Sequence, residues 1–288
     1  MLFRSADHAV QIALLNNKGL QAAYNELGVS EARFVQASLP PNPGISLAGL
    51  RGGGEFEIER KLVGDLLSLL TLPARRDIAE AGFRKAQLDA IGATLRLATD
   101  VRRQYWRAVG ANAQVSYLQA TRSATENINE LARKLGETGA MNKLDQGREH
   151  AFYAELSAQL ARARTQQRVE KERLTRLMGL WGRDVAFTLP SGLPALPRGV
   201  AASVHIERRA LERRIDLKIA RVDLERVARE LGLTHATRYV DALGLEAISA
   251  TSGSTKVEDG EVKKERSHLF GAELRVEIPI YDFGEARV

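Results

Sequence analysis

From Pro73 to Glu137 the chain runs for more than sixty residues without a further proline, and a helical apolar period persists through most of that length. Phe83, Ala86, Ala90, Ala93, Leu97, Val101, Tyr105, Ala108, Val115, Leu118, Ile128, Leu131 and Leu135 are separated by threes and fours or their small multiples. That spacing lays one apolar stripe along a single continuous helix. At 1.5 Å per residue the helix would be about 95 Å long. No ordinary globular core can bury such a rod, so it must pack against other rods, and its length predicts a protein that spans a distance.

Gly136-Glu137-Thr138-Gly139-Ala140 interrupts the rod. Asn142 can N-cap a new helix, with Asp145 three residues on to close a capping pair. The new helix is predicted to reach about Leu180, and its stripe of Ala151, Ala154, Ala158 and Ala161 would admit a neighbouring backbone closely. Residues 73–182 thus form a long antiparallel helical hairpin.

The flanks divide into segments. Residues 1–39 are a first helix, periodic from 6 to 37 and stopped by Leu39-Pro40-Pro41-Asn42-Pro43. Residues 40–72 hold a strand pair: Ile45–Leu50, a turn at Arg51–Gly54, and an extended stretch from Phe56 to about Leu70. After the hairpin, 183–202 is a proline-rich connector with Leu189-Pro190, Leu193-Pro194 and Leu196-Pro197. Residues 203–235 are another helix. Within 236–282, Tyr239–Thr251 and Leu269–Tyr281 are strands around a polar loop at Ser252–Ser267, and 283–288 begin a second long helix.

In the last strand Phe270, Ala272, Leu274, Val276 and Ile278 share one face, and Glu273, Arg275 and Glu277 the other. Such alternation suits a barrel wall between lipid and water. It equally suits a soluble sheet on a core.

The order helix, strand, strand, long helix occurs twice. Ala13-Leu14-Leu15-Asn16-Asn17-Lys18-Gly19-Leu20 aligns with Ala210-Leu211-Glu212-Arg213-Arg214-Ile215-Asp216-Leu217. Leu72-Pro73-Ala74-Arg75-Arg76-Asp77 aligns more loosely with Ile278-Pro279-Ile280-Tyr281-Asp282-Phe283. A duplicated unit of about two hundred residues is a stronger signal than any single motif here. Its second copy is expected to continue past Val288.

Composition narrows the chemistry. With 0 cysteines there is no disulfide framework and no thiolate site. His8, His150, His205, His235 and His268 are scattered without metal-ligand spacing, so no metal is expected. No nucleophile triad, acid–base pair or phosphate loop emerges; Gly52-Gly53-Gly54 lies between strands rather than before a helix. No enzyme activity and no cofactor are expected. The net charge of +6 raises nucleic acid as a partner, but the cluster Arg162, Arg164, Arg168, Lys171, Arg173 and Arg176 lacks interleaved aromatics and is broken by Glu170 and Glu172. A solvated helix face is the better account, and no nucleic acid is expected. No stretch has the ~18 apolar residues of a spanning helix, and Met1–Asp7 show no export-signal pattern.

The order of elements resembles the TolC-type outer membrane efflux proteins. The match is carried by Ala9…Ala13-Leu14…Gly19-Leu20, by Pro40-Pro41-Asn42-Pro43 before the first strand, and by the tip Gly139-Ala140-Met141-Asn142-Lys143-Leu144-Asp145. To these add Leu177-Met178-Gly179-Leu180 and the closing Ile278-Pro279-Ile280-Tyr281-Asp282-Phe283-Gly284-Glu285-Ala286-Arg287. Each is short and degenerate, but together their order and spacing cover nearly the whole chain.

The resemblance implies a mainly α fold with a small β part, whose four strands join a trimeric outer-membrane β-barrel and whose helices line a periplasmic duct. It implies an exit duct of a tripartite efflux pump, a homotrimer in contact with outer membrane lipid, a periplasmic adaptor and an inner-membrane pump. The tip residues Thr138, Gly139, Ala140, Asn142, Leu144 and Asp145 would meet the adaptor. Glu273, Arg275 and Glu277 would face the lumen, and Phe270, Leu274, Val276 and Ile278 the lipid. The family's export signal and second helical hairpin are not in this sequence, so a chain truncated at both ends is expected. The alternative is a periplasmic coiled-coil adaptor or scaffold protein of an export system, against which the repeated strand pairs argue.

Overall fold

A computed structural model describes residues 5–53, 55–195, 199, 205–258 and 261–281. Its elements are α1 (Ala6–Asn16), α2 (Lys18–Ser38), β1 (Gly44–Gly52), β2 (Glu55–Asp65), α3 (Leu66–Leu70), α4 (Leu72–Glu137), α5 (Lys143–Met178), α6 (Ile206–Arg213), α7 (Ile215–Thr237), β3 (Ala242–Glu258) and β4 (Glu261–Glu277). Two compact units result: Met1–Asn25 with Asp89–Arg213, and Glu26–Leu88 with Arg214–Val288.

The first unit is built on the hairpin of α4 and α5. Its main core joins Ala6, Ala9, Val10 and Ala13 of α1 to Val101, Tyr105, Ala108 and Val109 of α4 and to Leu174 and Met178 of α5. Phe187, in the segment after α5, closes this core at 2% exposure. A second cluster, Val115, Leu118, Leu156 and Leu160, packs further along the hairpin.

Burial follows only part of the expected stripe. Val101, Tyr105, Ala108, Val115 and Leu118 are buried, but beyond them the covered positions are Thr125 and Ala132, while Ile128, Leu131 and Leu135 are exposed. Steps of seven keep Leu118, Thr125 and Ala132 on the seam, as two supercoiling helices require. The alanine stripe of α5 is also exposed, and the seam is made by Leu156 and Leu160 instead. The small residues are therefore free to meet something other than α4.

A buried polar knot fixes the hairpin register. The Gln104 amide donates to the Glu170 carbonyl (3.0 Å) and carboxylate (2.6 Å), and Gln166 donates to the same carboxylate (2.6 Å). Arg173 completes the shell at 3.0 Å, so Glu170 is buried with its charge compensated.

Expectations about element boundaries need correction in three respects, the first of which concerns two helices. The single first helix is two, broken at Asn17 (φ −69, ψ 115). The helix expected at 203–235 likewise breaks at Arg214 (φ −62, ψ 118) into α6 and α7. These two breaks occupy aligned positions of the internal repeat and share one backbone conformation. Asn17 explains its own case: its Oδ1 accepts from Leu20 N (3.0 Å), capping α2, and its Nδ2 donates to the Leu177 carbonyl (2.9 Å).

The second correction is that the extended stretch does not reach Leu70. Asp65 caps Ser68 N at 2.9 Å and starts α3. Third, Ser252–Ser267 is no loop: β3 and β4 pair continuously from Ala242↔Glu277 to Glu258↔Glu261. Asp259 and Gly260 lie outside the described residues, as do 283–288, where the second long helix was expected.

The second unit carries the sheet, antiparallel in the order β1-β2-β3-β4. In the same unit α2 and α4 stack Phe34 on Phe83 (ring centroids 5.9 Å). Asp223 of α7 pairs with Lys85 of α4 at 3.1 Å, and Arg229 donates to the Asp77 carbonyl at 3.3 Å. Among the described residues no helix is long and apolar enough to cross a membrane.

Candidate functional site

Two regions can meet partners: the hairpin tip and the sheet. At the tip, α4 unwinds through Thr138 N to Lys134 O (3.2 Å), Gly139 N to Gly136 O (3.2 Å) and Met141 N to Leu135 O (3.2 Å). Gly139 sits at φ +79, the left-handed region that glycine enters freely. Asn142 caps α5 by accepting from Asp145 N at 2.8 Å, and its amide donates to the Asp145 carboxylate at 2.7 Å. Arg148 holds that carboxylate from the next turn at 3.2 Å.

The six tip residues singled out by sequence therefore divide in two. Thr138, Gly139, Asn142 and Asp145 make the turn, whereas Ala140 and Leu144 are presented to the outside, Leu144 at 65% exposure. Exposed Leu131 and Leu135 of α4 add apolar surface on the approach to the tip. One residue that sequence reasoning passed over, Gln146, holds the turn shut. The Gln146 amide donates to the Met141 carbonyl (3.1 Å) and lies directly over Gly136, where any Cβ would collide with it.

In the sheet, alternation and register sort every side chain onto one of two faces. Phe270, Leu274 and Val276 of β4 share a face with Leu243, Leu245 and Ala247 of β3, Ile58 and Leu62 of β2, and Ile45 and Leu47 of β1. The large ones are open to the outside: Phe270 is 82% exposed, Ile45 78% and Leu47 72%. Ile278, 58% exposed, lies one residue past the end of β4 at Glu277, where the ladder register no longer assigns it a face. Proline at 279 ends the strand because it brings no N–H to a ladder.

Glu273, Arg275 and Glu277 occupy the other face, with Glu246 directly opposite Glu273. Like charges placed opposite one another destabilise a sheet. Here Arg275 reaches diagonally to Glu246 at 2.8 Å, and Glu246 is only 3% exposed despite its charge. Lys61 pairs with Glu59 on β2 at 3.1 Å. Toward the turns, a concavity of about 880 Å³ takes in Glu55, Glu57 and Glu265 of this face together with Arg51, Phe56 and Arg266 of the other. The Glu273 face is polar and predominantly acidic.

Its β2 members were legible but unread: Glu55-Phe56-Glu57-Ile58-Glu59 is itself a strict alternation. Glu246 carries no such signal and is found only by register. Among the described residues no group of three or more His, Asp or Glu could hold a metal ion.

The fold is that of solved outer-membrane channels. A membrane protein from Pseudomonas aeruginosa superposes with TM-score 0.72 at 20% identity, over 98% of this chain and 68% of that one. CusC, studied for conformational changes accompanying folding and transmembrane channel formation, gives 0.71 at 18% identity, over 98% and 67%. The outer membrane protein VceC of Vibrio cholerae gives 0.70 at 17%, over 94% and 68%. The chain thus spans about two thirds of the length of these proteins. No protein-family model matches the sequence, and no curated protein matches it. The architecture of a long helical hairpin beside four antiparallel strands, expected from the TolC-type resemblance, is the architecture found.

Proposed function

We propose that the chain is a member of the TolC-type family and builds a passive exit duct in the outer membrane, as the outer component of a tripartite efflux pump. The observation that carries this is the sheet. It has an exposed apolar face, a polar and acidic opposite face, and β1 and β4 each with one strand neighbour among the described residues. An isolated sheet of that kind exposes an apolar face to water and two open edges that are templates for pairing with another chain. Closing β4 of one copy onto β1 of the next satisfies both at once, and three copies would make a twelve-stranded barrel. Phe270, Leu274 and Val276 then face lipid, and Glu273, Arg275 and Glu277 the lumen.

The 66-residue α4, about 100 Å long at 1.5 Å per residue, would cross the periplasm. Ala140 and Leu144 at its turn would meet the periplasmic adaptor, while an inner-membrane pump supplies the energy. The duct itself performs no reaction, and its cargo, small molecules or metal ions, is selected by the pump. An adaptor or scaffold role is the weaker account, since it gives no use to a sheet apolar on one side.

Single cysteines in the complete channel test the assignment. Those at 270, 274 and 276 should resist water-soluble thiol reagents in membranes, and those at 273, 275 and 277 should react. The reverse pattern would end the barrel reading. Separately, the purified channel should conduct ions across planar bilayers, and a sealed bilayer at high protein load would refute the duct.

A further inference from the structure

The apolar face of the sheet changes character toward the β3–β4 turn. Register places Arg51 and Arg266 in one cross-strand row, through Arg51↔Phe56, Phe56↔Gly253 and Gly253↔Arg266. Lys264 lies one row further out on the same face, His268 one row nearer the apolar band, and Arg60 one row nearer still, through Arg60↔Ser249 and Ser249↔Phe270. All five are exposed. Among the described residues Arg51, Arg60, Lys264 and Arg266 have no carboxylate within ion-pair distance. The acidic residues of these strands, Glu55, Glu57, Glu59 and Glu265, alternate onto the opposite face. Toward the β3–β4 turn, charge is therefore separated across the thickness of the sheet, with Arg51, Lys264 and Arg266 on the apolar side and Glu55, Glu57 and Glu265 on the other.

We propose that this belt binds the phosphate groups of an anionic lipid headgroup layer, an inference that rests on the barrel reading above. Two features favour a lipid layer over a free anion. First, Arg51 and Arg266 stand in one cross-strand row, three strand spacings apart, about 14 Å. Cations spread so widely do not converge on one phosphate; they match a plane of headgroups. Second, they sit at the border of the exposed apolar band, with Phe56 and Phe270 among them on the same face. Aromatic residues beside cations mark the interface level of a membrane strand. Arg60 is rooted two rows deeper, and its guanidinium reaches back to Thr251 Oγ1 at 3.3 Å, beside His268 Nδ1 at 3.1 Å from the same oxygen.

Each basic residue near an anionic lipid surface contributes roughly fivefold in affinity. The experiment uses the complete channel in neutral detergent, titrated with bisphosphorylated lipid A and with the same lipid after enzymatic dephosphorylation, bound lipid being counted by native mass spectrometry. Wild type should retain the phosphorylated form selectively. The double variant Arg51→Gln, Arg266→Gln should bind it about 25-fold more weakly. Arg51→Lys, Arg266→Lys should keep most of the binding, and Glu57→Gln, Glu265→Gln should lose none. Millimolar inorganic phosphate should not compete, and raising salt should weaken wild-type binding.

Equal retention by the Gln variant, equal binding of dephosphorylated lipid, competition by free phosphate, or salt-independent wild-type binding would each overturn the proposal. Insertion of wild type into vesicles is scored in parallel. Failure to insert would overturn the barrel reading and this inference with it, whereas insertion without phosphate selectivity would overturn this inference alone.

Discussion

Gly179 is where the most can be asked of one methyl group. It ends α5 in the left-handed region at φ +67, with its N–H bonded to the Arg176 carbonyl (3.0 Å) and Leu180 N to the Thr175 carbonyl (3.1 Å). A Cβ built there would stand 2.6 Å from the carbonyl oxygen of Asn16 and 2.8 Å from its carbon. Those atoms are backbone and cannot swing aside. Gly179→Ala therefore costs about 1–2 kcal/mol for the left-handed conformation. It must also push the α1–α2 break away from α5. That movement breaks the Asn17 amide bond to the Leu177 carbonyl (2.9 Å) and disturbs the cap on Leu20 N (3.0 Å), about 1 kcal/mol each.

The expected total is about 3–4 kcal/mol. Gly139 provides the internal control, because it too has positive φ (+79) but nothing within 4 Å of its Cβ position. Gly139→Ala should cost only the conformational part, about 1–2 kcal/mol. Urea unfolding followed by helical circular dichroism, with both variants measured in the same detergent, should show a gap of about 2 kcal/mol. Equal costs would refute the claim that contact with Asn16, rather than conformation, makes Gly179 irreplaceable.

Three further outcomes are expected. Gly136→Ala should evict the Gln146 amide from the Met141 carbonyl and cost about 1 kcal/mol, read by faster hydrogen exchange at the tip while α4 stays helical. Gln104→Ala should strip two donated bonds from buried Glu170 and lower stability by about 2 kcal/mol, measured in the same unfolding assay. Asp223 is held below its ordinary carboxyl range by the hydrogen bond from Lys85 first and that from Arg226 second. Its ionised form thus favours the folded state, a contribution present above about pH 4 and lost as the pH falls through the depressed folded value. Stability between neutral pH and pH 3 should accordingly fall less in Asp223→Asn than in wild type.

How much of this was legible can be followed residue by residue. The α4–α5 hairpin could be read because proline is absent for so long and Asn142 with Asp145 announces a cap; local rules decide such features. The breaks at Asn17 and Arg214 were not read, since both interrupt an uninterrupted apolar period, and the cause of the first is the Leu177 carbonyl, 160 residues away. Yet the repeat had already aligned the two positions, and a shared departure from helix at aligned sites was its hidden content. The polar stretch Ser252–Ser267 suggested a loop because serine, lysine and glutamate dominate it. A strand that need not bury either face is free to carry them, and Asp259-Gly260 between alternating residues was the hairpin signal that composition masked. At the tip, Gly139 and Asn142 declared themselves through backbone and cap chemistry. Gln146 and Gly136 matter through a close approach between two helices, which no spacing encodes. Glu246 is hidden for a similar reason, as its importance comes from facing Glu273 across a ladder.

One dimension of the sheet has a consequence for depth. The β2–β3 ladder ends at Glu55↔Ser254, while β3 and β4 continue pairing through Glu258↔Glu261. Thr255–Glu258 and their partners therefore stand beyond β2 as a two-stranded ribbon, about 14 Å tall at 3.4 Å per residue. Along the side where β2 has stopped, the N–H and C=O groups of β3 have no ladder partner among the described residues. Water satisfies such groups at little cost, whereas hydrocarbon exacts several kcal/mol for each one left bare. In the proposed barrel such a ribbon would stand above the hydrocarbon as a float; the sheet would sink no deeper than the end of β2, and that stop would hold Arg51 and Arg266 at the surface with Leu274 and Val276 below it.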